Sequence, residues 1–350
     1  MGNYFIPVKY LLTKCLNIKV LNPPKITNKT IELGVKNSPE FVCMPFKYTL
    51  GTFIEDLDRG ANVLLQAGGG CRYGYYGELQ EKILKDLGYD FIYINLINGG
   101  NHQICKIYRL IKKIDPKFKV YKFIKYFIIT IKMVKYMDKI DDYIRKNIGF
   151  EVIPNSFTDL QKEMFKEFSK VNSLYKLRKL YHKYFKKFKL LQVNKPKNVL
   201  KVGIIGELYT IMEPFANYFL ETELAKMHIE IKRFTNAYYL LFQKRKESKK
   251  YLKYASEYVK YKMGADATDN IGRCKYLCEN GYDGIIHIKS SFCTPEIAAM
   301  PIISKISREY NIPVIYFSFD ANTSEVGIKT RLEAFYDMLE MRKNKWRMVI

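Results

Sequence analysis

The sequence predicts an α/β protein: two domains with parallel sheets and a helical insertion between them. Three observations carry the prediction. Short apolar runs alternate with helical stretches over the first hundred or so residues and again beyond residue 199, the pattern of strands joined by helical crossovers. Between those halves the apolar residues recur at helical spacing only. Cysteines stand just ahead of helical stretches in both halves, at Cys43, Cys71 and Cys293. The expected domains are residues 1–100, with Cys43 and Cys71; 101–198, a basic helical insertion or lid; and 199–350, with Cys293.

In chain order, Pro7 to Leu16 reads as a helix and Ile18 to Leu21 as a strand stopped by Pro23 and Pro24. Ile31 to Val35 reads as a short helical turn. After Cys43, proline at an early helical position opens a helix through Leu50, Phe53, Ile54 and Leu57 to Gly60. Val63-Leu64-Leu65 is a buried strand that runs into Gly68-Gly69-Gly70-Cys71, where glycine permits a tight turn and close approach of backbone. A helix from Glu78 carries Leu79, Ile83, Leu84 and Leu87 and ends at Gly88. The strand Phe91 to Asn95 completes the first alternation.

Four helical stripes follow: Ile107 to Ile114, Val120 to Val134, Leu160 to Val171 and Leu177 to Phe188. Asn194-Lys195-Pro196 breaks the pattern, and Lys201 to Gly206 starts a fresh strand. Further strands are expected at 229–231, 284–288 and 313–317, with helices around 215–226, 236–262, 266–280, 296–310 and 325–343.

The net charge of +24 is uneven: residues 101–200 hold 25 Lys and Arg against 8 Asp and Glu. Such a block with interleaved aromatics is compatible with an anionic partner such as nucleic acid. The helical period of its apolar residues favours a solvated helical face instead, so nucleic acid is not the expected partner. The start lacks the cationic and apolar regions of a signal peptide, and Ile6 stands where a myristoylation motif needs Ser or Thr. The apolar run Phe127 to Ile131 is far shorter than a bilayer requires. The expected compartment is the cytoplasm, with no membrane partner. There, seven cysteines point to thiols that bind metal rather than to bridges.

A cysteine beside a helix amino end is favoured as thiolate. Three such positions suit a [4Fe-4S] cluster with one iron open to substrate, or zinc with a fourth ligand, for which His287 is a candidate. Their dispersed spacing fits a site assembled from distant segments. Cys274 and Cys278, four apart on a helix, can ligate a metal but are read as one buried and one half-exposed core residue; Cys15 and Cys105 are read as core or surface thiols. No Walker A sequence follows the glycines. Of Glu207, Glu213, Glu296 and Asp320, Glu296 in the first turn after Cys293 is the candidate acid, or a helix-capping residue. Gly70 and Arg72 would approach the cofactor, and Arg72 and Lys47 would offset its charge or remain surface cations.

Several segments carry a resemblance. They are Ser38 to Lys47 around Cys43, Gly70-Cys71-Arg72-Tyr73-Gly74-Tyr75-Tyr76, Gly206-Glu207-Leu208-Tyr209, Asp283 to His287, Phe292-Cys293-Thr294-Pro295-Glu296 and Thr330 to Phe335. Together they resemble the CoA protein activase-related proteins, relatives of 2-hydroxyacyl-CoA dehydratase and benzoyl-CoA reductase subunits and of double-cubane cluster proteins. The resemblance implies Rossmann-like domains and an oxygen-sensitive iron–sulfur cluster on Cys43, Cys71 and Cys293. It also implies electrons from a separate ATP-hydrolysing activator protein, and a homologous subunit or second copy as companion. A double-cubane [8Fe-9S] cluster would need about six thiolates. The family usually has a strand before the Met1-Gly2-Asn3 segment, so the chain as given is expected to start late, and it carries an acid where Ala321 stands.

Three functions are in contention. The first is an iron–sulfur electron-transfer protein of anaerobes, either a dehydratase-like lyase or a component of an ATP-coupled reductase, acting on a small substrate such as an acyl-CoA. The second is a non-catalytic cluster carrier or accessory subunit. The third is a nucleic-acid-binding module resting on residues 101–200.

Overall fold

The computed structural model describes residues 2–68, 71, 73–96 and 103–348. The first elements are helices α1 (Phe5–Cys15), α2 (Asn28–Asn37) and α3 (Met44–Asp58), followed by strand β1 (Val63–Gln66), α4 (Tyr73–Asp86) and β2 (Ile92–Asn95). Then come α5 (Gln103–Ile114), α6 (Val120–Asn147), α7 (Ser156–Phe168) and α8 (Leu174–Leu190). The remainder is β3 (Lys201–Gly206), α9 (Leu208–Met212), α10 (Leu220–Lys226), β4 (Glu230–Arg233), α11 (Lys244–Ala255), α12 (Ala267–Glu279), β5 (Gly284–Ser290), α13 (Thr294–Glu309), β6 (Val314–Phe319) and α14 (Glu325–Met348). The chain divides into two compact units, Val8–Ile128 and Met1–Pro7 with Ile129–Ile350.

In the smaller unit β1 and β2 pair in parallel, Val63 opposite Ile92 and Gln66 opposite Asn95. Phe46, Leu50, Ile54 and Leu57 recur along one side of α3 and pack with Leu64, Tyr76, Leu84, Phe91 and Tyr93 in a core. The helices α2 and α3 cross backbone to backbone. A Cβ on Gly34 would lie 2.0 Å from the Lys47 carbonyl oxygen, and one on Gly51 would lie 1.9 Å from that of Thr30. Only glycine admits so close a crossing.

In the larger unit four strands form a parallel sheet in the order β4-β3-β5-β6. Residues alternate between its two faces. Val202, Ile204, Ile286, Ile288, Phe317 and Phe319 pack with Leu220, Leu332 and Phe335 on one face; Ile205 and Ile285 pack with Ile271, Leu277, Ala299 and Ile303 on the other. Burial on both faces explains why these strands read as continuous apolar runs. The helices α7 and α8 turn Phe157, Phe168, Tyr184 and Phe188 fully inward, while Lys162, Lys170, Lys183, Lys186 and Lys189 are exposed. That is the solvated helical face expected of the basic block. Among the described residues no helix is long and apolar enough to cross a membrane.

Four local expectations are corrected. Ile18 to Leu21 is irregular rather than a strand, half-buried at most and followed closely by Pro23 and Pro24. Helix α4 opens at Tyr73, five residues before Glu78, because the aromatic pair Tyr75 and Tyr76 already sits on its first turns. The stretch 236–262 is not one helix: a π-turn at Tyr239–Gln243 precedes α11, which ends at Ala255. Residues 215–226 split into a 3₁₀ turn and α10, with Tyr218 and Phe219 left-handed between them.

Candidate functional site

The sequence-predicted cysteines fall in both units. Cys43 is the N-cap residue of α3, with Pro45 in the first turn, and its carbonyl accepts from the Phe46 amide at 3.0 Å. It follows helix α2 and a loop rather than a strand, so it shares the helix-head position of the other two cysteines but not their strand. Cys71 lies between β1 and α4, is exposed, and its carbonyl accepts from the Gly74 amide at 3.0 Å. Gly70 and Arg72, expected to face the cofactor, lie outside the described residues.

Tyr76 meets the Cys43 thiol. Its hydroxyl oxygen is 2.8 Å from Cys43 Sγ, and its ring stands edge-on to Phe46 at 4.9 Å between centroids. Burial pushes the phenol well above its ordinary pKa, and the neighbouring sulfurs of Cys43 and then Cys71 push it further. Tyr76 is therefore a neutral phenol, and in its contact with Cys43 either the hydroxyl or the thiol can donate. Beneath it a buried amide network fixes the elements that bear the cysteines. Gln66 Nε2 donates to Gln80 Oε1 at 3.0 Å, and Gln80 Nε2 donates to the Phe46 carbonyl and to Thr49 Oγ1. The Tyr93 hydroxyl donates to Gln66 Oε1 at 2.6 Å. Gly77, next to Tyr76, lets α4 press on this layer, since a Cβ there would lie 2.4 Å from Asn95 Nδ2.

Lys47 is no surface cation. It is buried, and Nζ donates to the Glu40 carbonyl at 3.1 Å, tying the loop ahead of Cys43 to α3.

In the larger unit Cys293 is the N-cap of α13, again with proline in the first turn, so Cys-X-Pro heads a helix twice in this chain. It follows β5, beside the carboxyl end of β3, where the chain leaves β3 to one side for β4 and returns on the other for β5. That reversal is the switch point at which parallel sheets bind ligands. Gly206 ends β3 with φ 135°, and a Cβ on it would lie 1.8 Å from the Ile288 carbonyl oxygen.

Glu296 and His287 are buried together at this point. The Glu296 side chain is 1% exposed and its Oε2 is 2.8 Å from His287 Nε2. Its other oxygen accepts from Asn270 Nδ2 at 2.8 Å, which also donates to the Gly206 carbonyl. Arg273, fully buried among the rings of Phe234, Tyr239 and Tyr251, donates to Asn270 Oδ1 at 2.9 Å and to the Tyr239 hydroxyl at 2.7 Å. A continuous chain thus links Arg273, Asn270, Glu296 and His287, tying α12, β3, α13 and β5. His287 is the hydrogen-bonded strand residue rather than a ligand turned to an ion. Glu207, the N-cap of α9, accepts from the Tyr209 and Thr210 amides; burial raises its pKa, and the Glu296 charge adds to that.

Two features here were not legible in the sequence. Lys289 is buried on β5 with Nζ 3.4 Å from the Ser291 carbonyl; burial lowers its pKa while Cys293 and Glu296 oppose the shift. The Asn270–Arg273 relay has no motif beyond two polar residues three apart on a helix. Cys274 and Cys278 are both buried, because α12 is covered on the sheet side and by α11, so neither is half-exposed. Cys15 is buried against the Lys122 carbonyl. No side chain is described for Cys105.

Among the described residues no three His, Cys, Asp or Glu side chains stand close enough to hold a metal ion. Two thiols fall short of the three or four donors that a cluster or zinc takes. Cys43 and Cys71 are soft sulfur donors, each at or just ahead of a helix amino end.

A family model for the 2-hydroxyglutaryl-CoA dehydratase D-component matches residues 94–339. The chain belongs to that family. The match includes Cys293, Glu296, His287 and the whole four-stranded sheet, while Cys43 and Cys71 precede it. Compared with curated proteins, the chain matches none. Membership identifies this family member as a 2-hydroxyacyl-CoA dehydratase-like component.

Proposed function

We propose that this dehydratase-family protein is an iron–sulfur redox component. Cys43 and Cys71 would supply thiolates to a [4Fe-4S] cluster, and Cys293, the third cysteine at a helix head, is the further thiolate the resemblance implies. The observation that carries the reading is the 2.8 Å contact between Cys43, at the head of α3, and the hydroxyl of Tyr76 on α4, the helix that Cys71 shortly precedes. When bound, the cluster would supply one-electron chemistry and an iron open to a small, acyl-CoA-type substrate. Electrons would come from a separate ATP-hydrolysing activator, with a homologous subunit or second copy as companion, in the cytoplasm.

The chain's own contribution is positional. The helix amino ends at Cys43 and Cys293 favour thiolate over thiol. The Gln66–Gln80–Thr49 layer holds the strand end and the α3 head in fixed register. Lys289, buried on β5, interacts electrostatically with Cys293, so positive charge on the lysine and negative charge on the sulfur would favour each other.

A second reading, a cluster carrier or accessory subunit without turnover of its own, has its own support. Glu296, the acid offered by the sequence, has both oxygens occupied by His287 and Asn270, and Ala321 stands where the resemblance places an acid.

The test is iron and acid-labile sulfide per chain after strictly anaerobic purification, for the wild-type protein and for Cys71→Ser. Roughly four irons, lost or much reduced in Cys71→Ser, is the expected result; roughly eight would indicate the double cubane. Unchanged iron in Cys71→Ser refutes the ligand assignment, and one zinc without iron refutes the redox reading. Turnover with activator but no second subunit would separate the catalytic reading from the accessory one.

A further inference from the structure

We propose that Arg331 guards the open edge of the four-stranded sheet: its guanidinium, seated on the Tyr316 carbonyl, keeps β6 from pairing with β6 of a second copy of this chain. The inference is independent of the cluster reading. It starts from position. β6 is an outer strand in the order β4-β3-β5-β6 and, among the described residues, pairs only with β5. On the β5 side the Pro313 and Phe319 carbonyls accept from the Ile285 and Ser291 amides. Backbone groups alternate in direction along a strand, so the N–H and C=O groups of Val314, Tyr316 and Ser318 face away from β5. Among the described residues no other backbone group pairs with them.

Such an edge is a template for another strand, and natural sheets blunt it with charged side chains. The opposite edge follows that rule: β4 carries Glu230 and Lys232, both partly exposed. β6, with the sequence Val-Ile-Tyr-Phe-Ser-Phe, carries no charge. Its charge comes from α14 instead. Arg331 Nη2 donates to the Tyr316 carbonyl at 2.7 Å, and the guanidinium lies 4.8 Å from the centre of the Phe317 ring. Ile328, Leu332 and Phe335 of the same helix pack on the sheet, which holds the arginine at the edge. Two β6 strands could pair antiparallel about a two-fold axis, Tyr316 opposite Tyr316 and Val314 opposite Ser318, and so use every outward group. The Tyr316 carbonyl lies at the centre of that register, and Arg331 already occupies it. Two guanidiniums would also meet at the axis, where like charges facing each other across strands repel.

The experiment compares full-length wild type with Arg331→Ala by sedimentation equilibrium over a range of protein concentrations, with far-UV circular dichroism confirming the fold. The expected result is self-association of Arg331→Ala about tenfold or more tighter than that of wild type. Adding Ser318→Pro should return the mass to the wild-type value, because proline there removes an outward N–H and no bond to β5. Arg331→Met keeps the stem over Phe317 while removing charge and donor, and serves if Arg331→Ala does not fold. Folded Arg331 variants that associate no more than wild type overturn the proposal. Association that Ser318→Pro leaves unchanged overturns it too, since β6 would then not be the surface involved. Neither outcome bears on the cluster reading, which the iron measurement tests by itself.

Discussion

Replacing Gly51 by alanine sets two effects of known sign against each other. Alanine in a helix interior is favoured over glycine by about 1 kcal/mol, so propensity alone predicts a more stable protein. The crossing of α2 and α3 predicts the reverse. The added Cβ would stand 1.9 Å from the Thr30 carbonyl oxygen and 2.9 Å from its carbon, where ordinary contact begins at 3.4 Å. The helices would have to part by about 1.5 Å, and the obstacle is helix backbone, not a side-chain tip that can swing aside. Gly34, packed on the Lys47 carbonyl at the same crossing, blocks relief by sliding, and the bond from Thr30 Oγ1 to Glu55 at 2.6 Å would stretch. Overpacking costs about 1–3 kcal/mol; a backbone clash belongs at the upper end, leaving a net loss of about 2 kcal/mol after the propensity gain. With a urea m-value of about 2 kcal/mol/M, the midpoint of unfolding followed by far-UV circular dichroism should drop by roughly 1 M. Gly327→Ala is the control: in α14 its Cβ would meet only Ser324 Cβ at 3.8 Å, and stability should rise by a few tenths to about 1 kcal/mol. A Gly51→Ala protein as stable as the wild type would refute the steric argument.

Two further predictions concern buried polar groups in the larger unit. Burial raises the pKa of Asp138 to about 6 against bonds from the Tyr4 hydroxyl and the Tyr238 amide. The folded protein thus keeps this proton over the range from about pH 4 to 6, where the unfolded chain has lost it. The stability contributed is full below about pH 4 and falls by about 3 kcal/mol as pH rises through about 6. Asp138→Asn should remove that part of the pH dependence, read as the difference between wild-type and variant urea midpoints at pH 4 and pH 7; parallel curves would defeat the assignment. Asn270→Ala would strip hydrogen bonds from Glu296, Arg273 and the Gly206 carbonyl together. A loss of about 3 kcal/mol is expected, and a loss below about 1 kcal/mol in thermal unfolding would show that the relay is not cooperative.

Much of the fold was legible because burial on both faces of a parallel sheet leaves an unmistakable trace. Lys201 to Gly206, Gly284 to Ile288 and the run ending at Phe317 declared themselves as strands, and α5 to α8 as apolar stripes. What misled was local apolarity: Ile18 to Leu21 has strand composition but pairs with no strand among the described residues. The site divides the same way. Cys-X-Pro ahead of a helix is visible in sequence, since proline and the helix-head position are local properties. Tyr76 was visible only as one tyrosine in a motif, because its meaning lies in a contact with Cys43 across 33 positions. Lys47 and Lys289 show the same limit. A lysine is expected at the surface until tertiary structure closes over it.

The exposure of the cysteines has a practical consequence for anyone handling the protein. Cys71 is open to solvent and Cys43 and Cys293 are half-open, whereas Cys15, Cys274 and Cys278 are buried; burial raises the thiol pKa of Cys15, and a hydrogen bond with Cys278 together with burial raises that of Cys274. Thiol reagents and oxygen will therefore distinguish these six by location. A brief pulse of alkylating agent on the native protein, resolved by mass spectrometry, becomes a footprint: it marks the three helix-head cysteines when they are empty and spares them when they are engaged, with the buried three as an internal reference for intact folding.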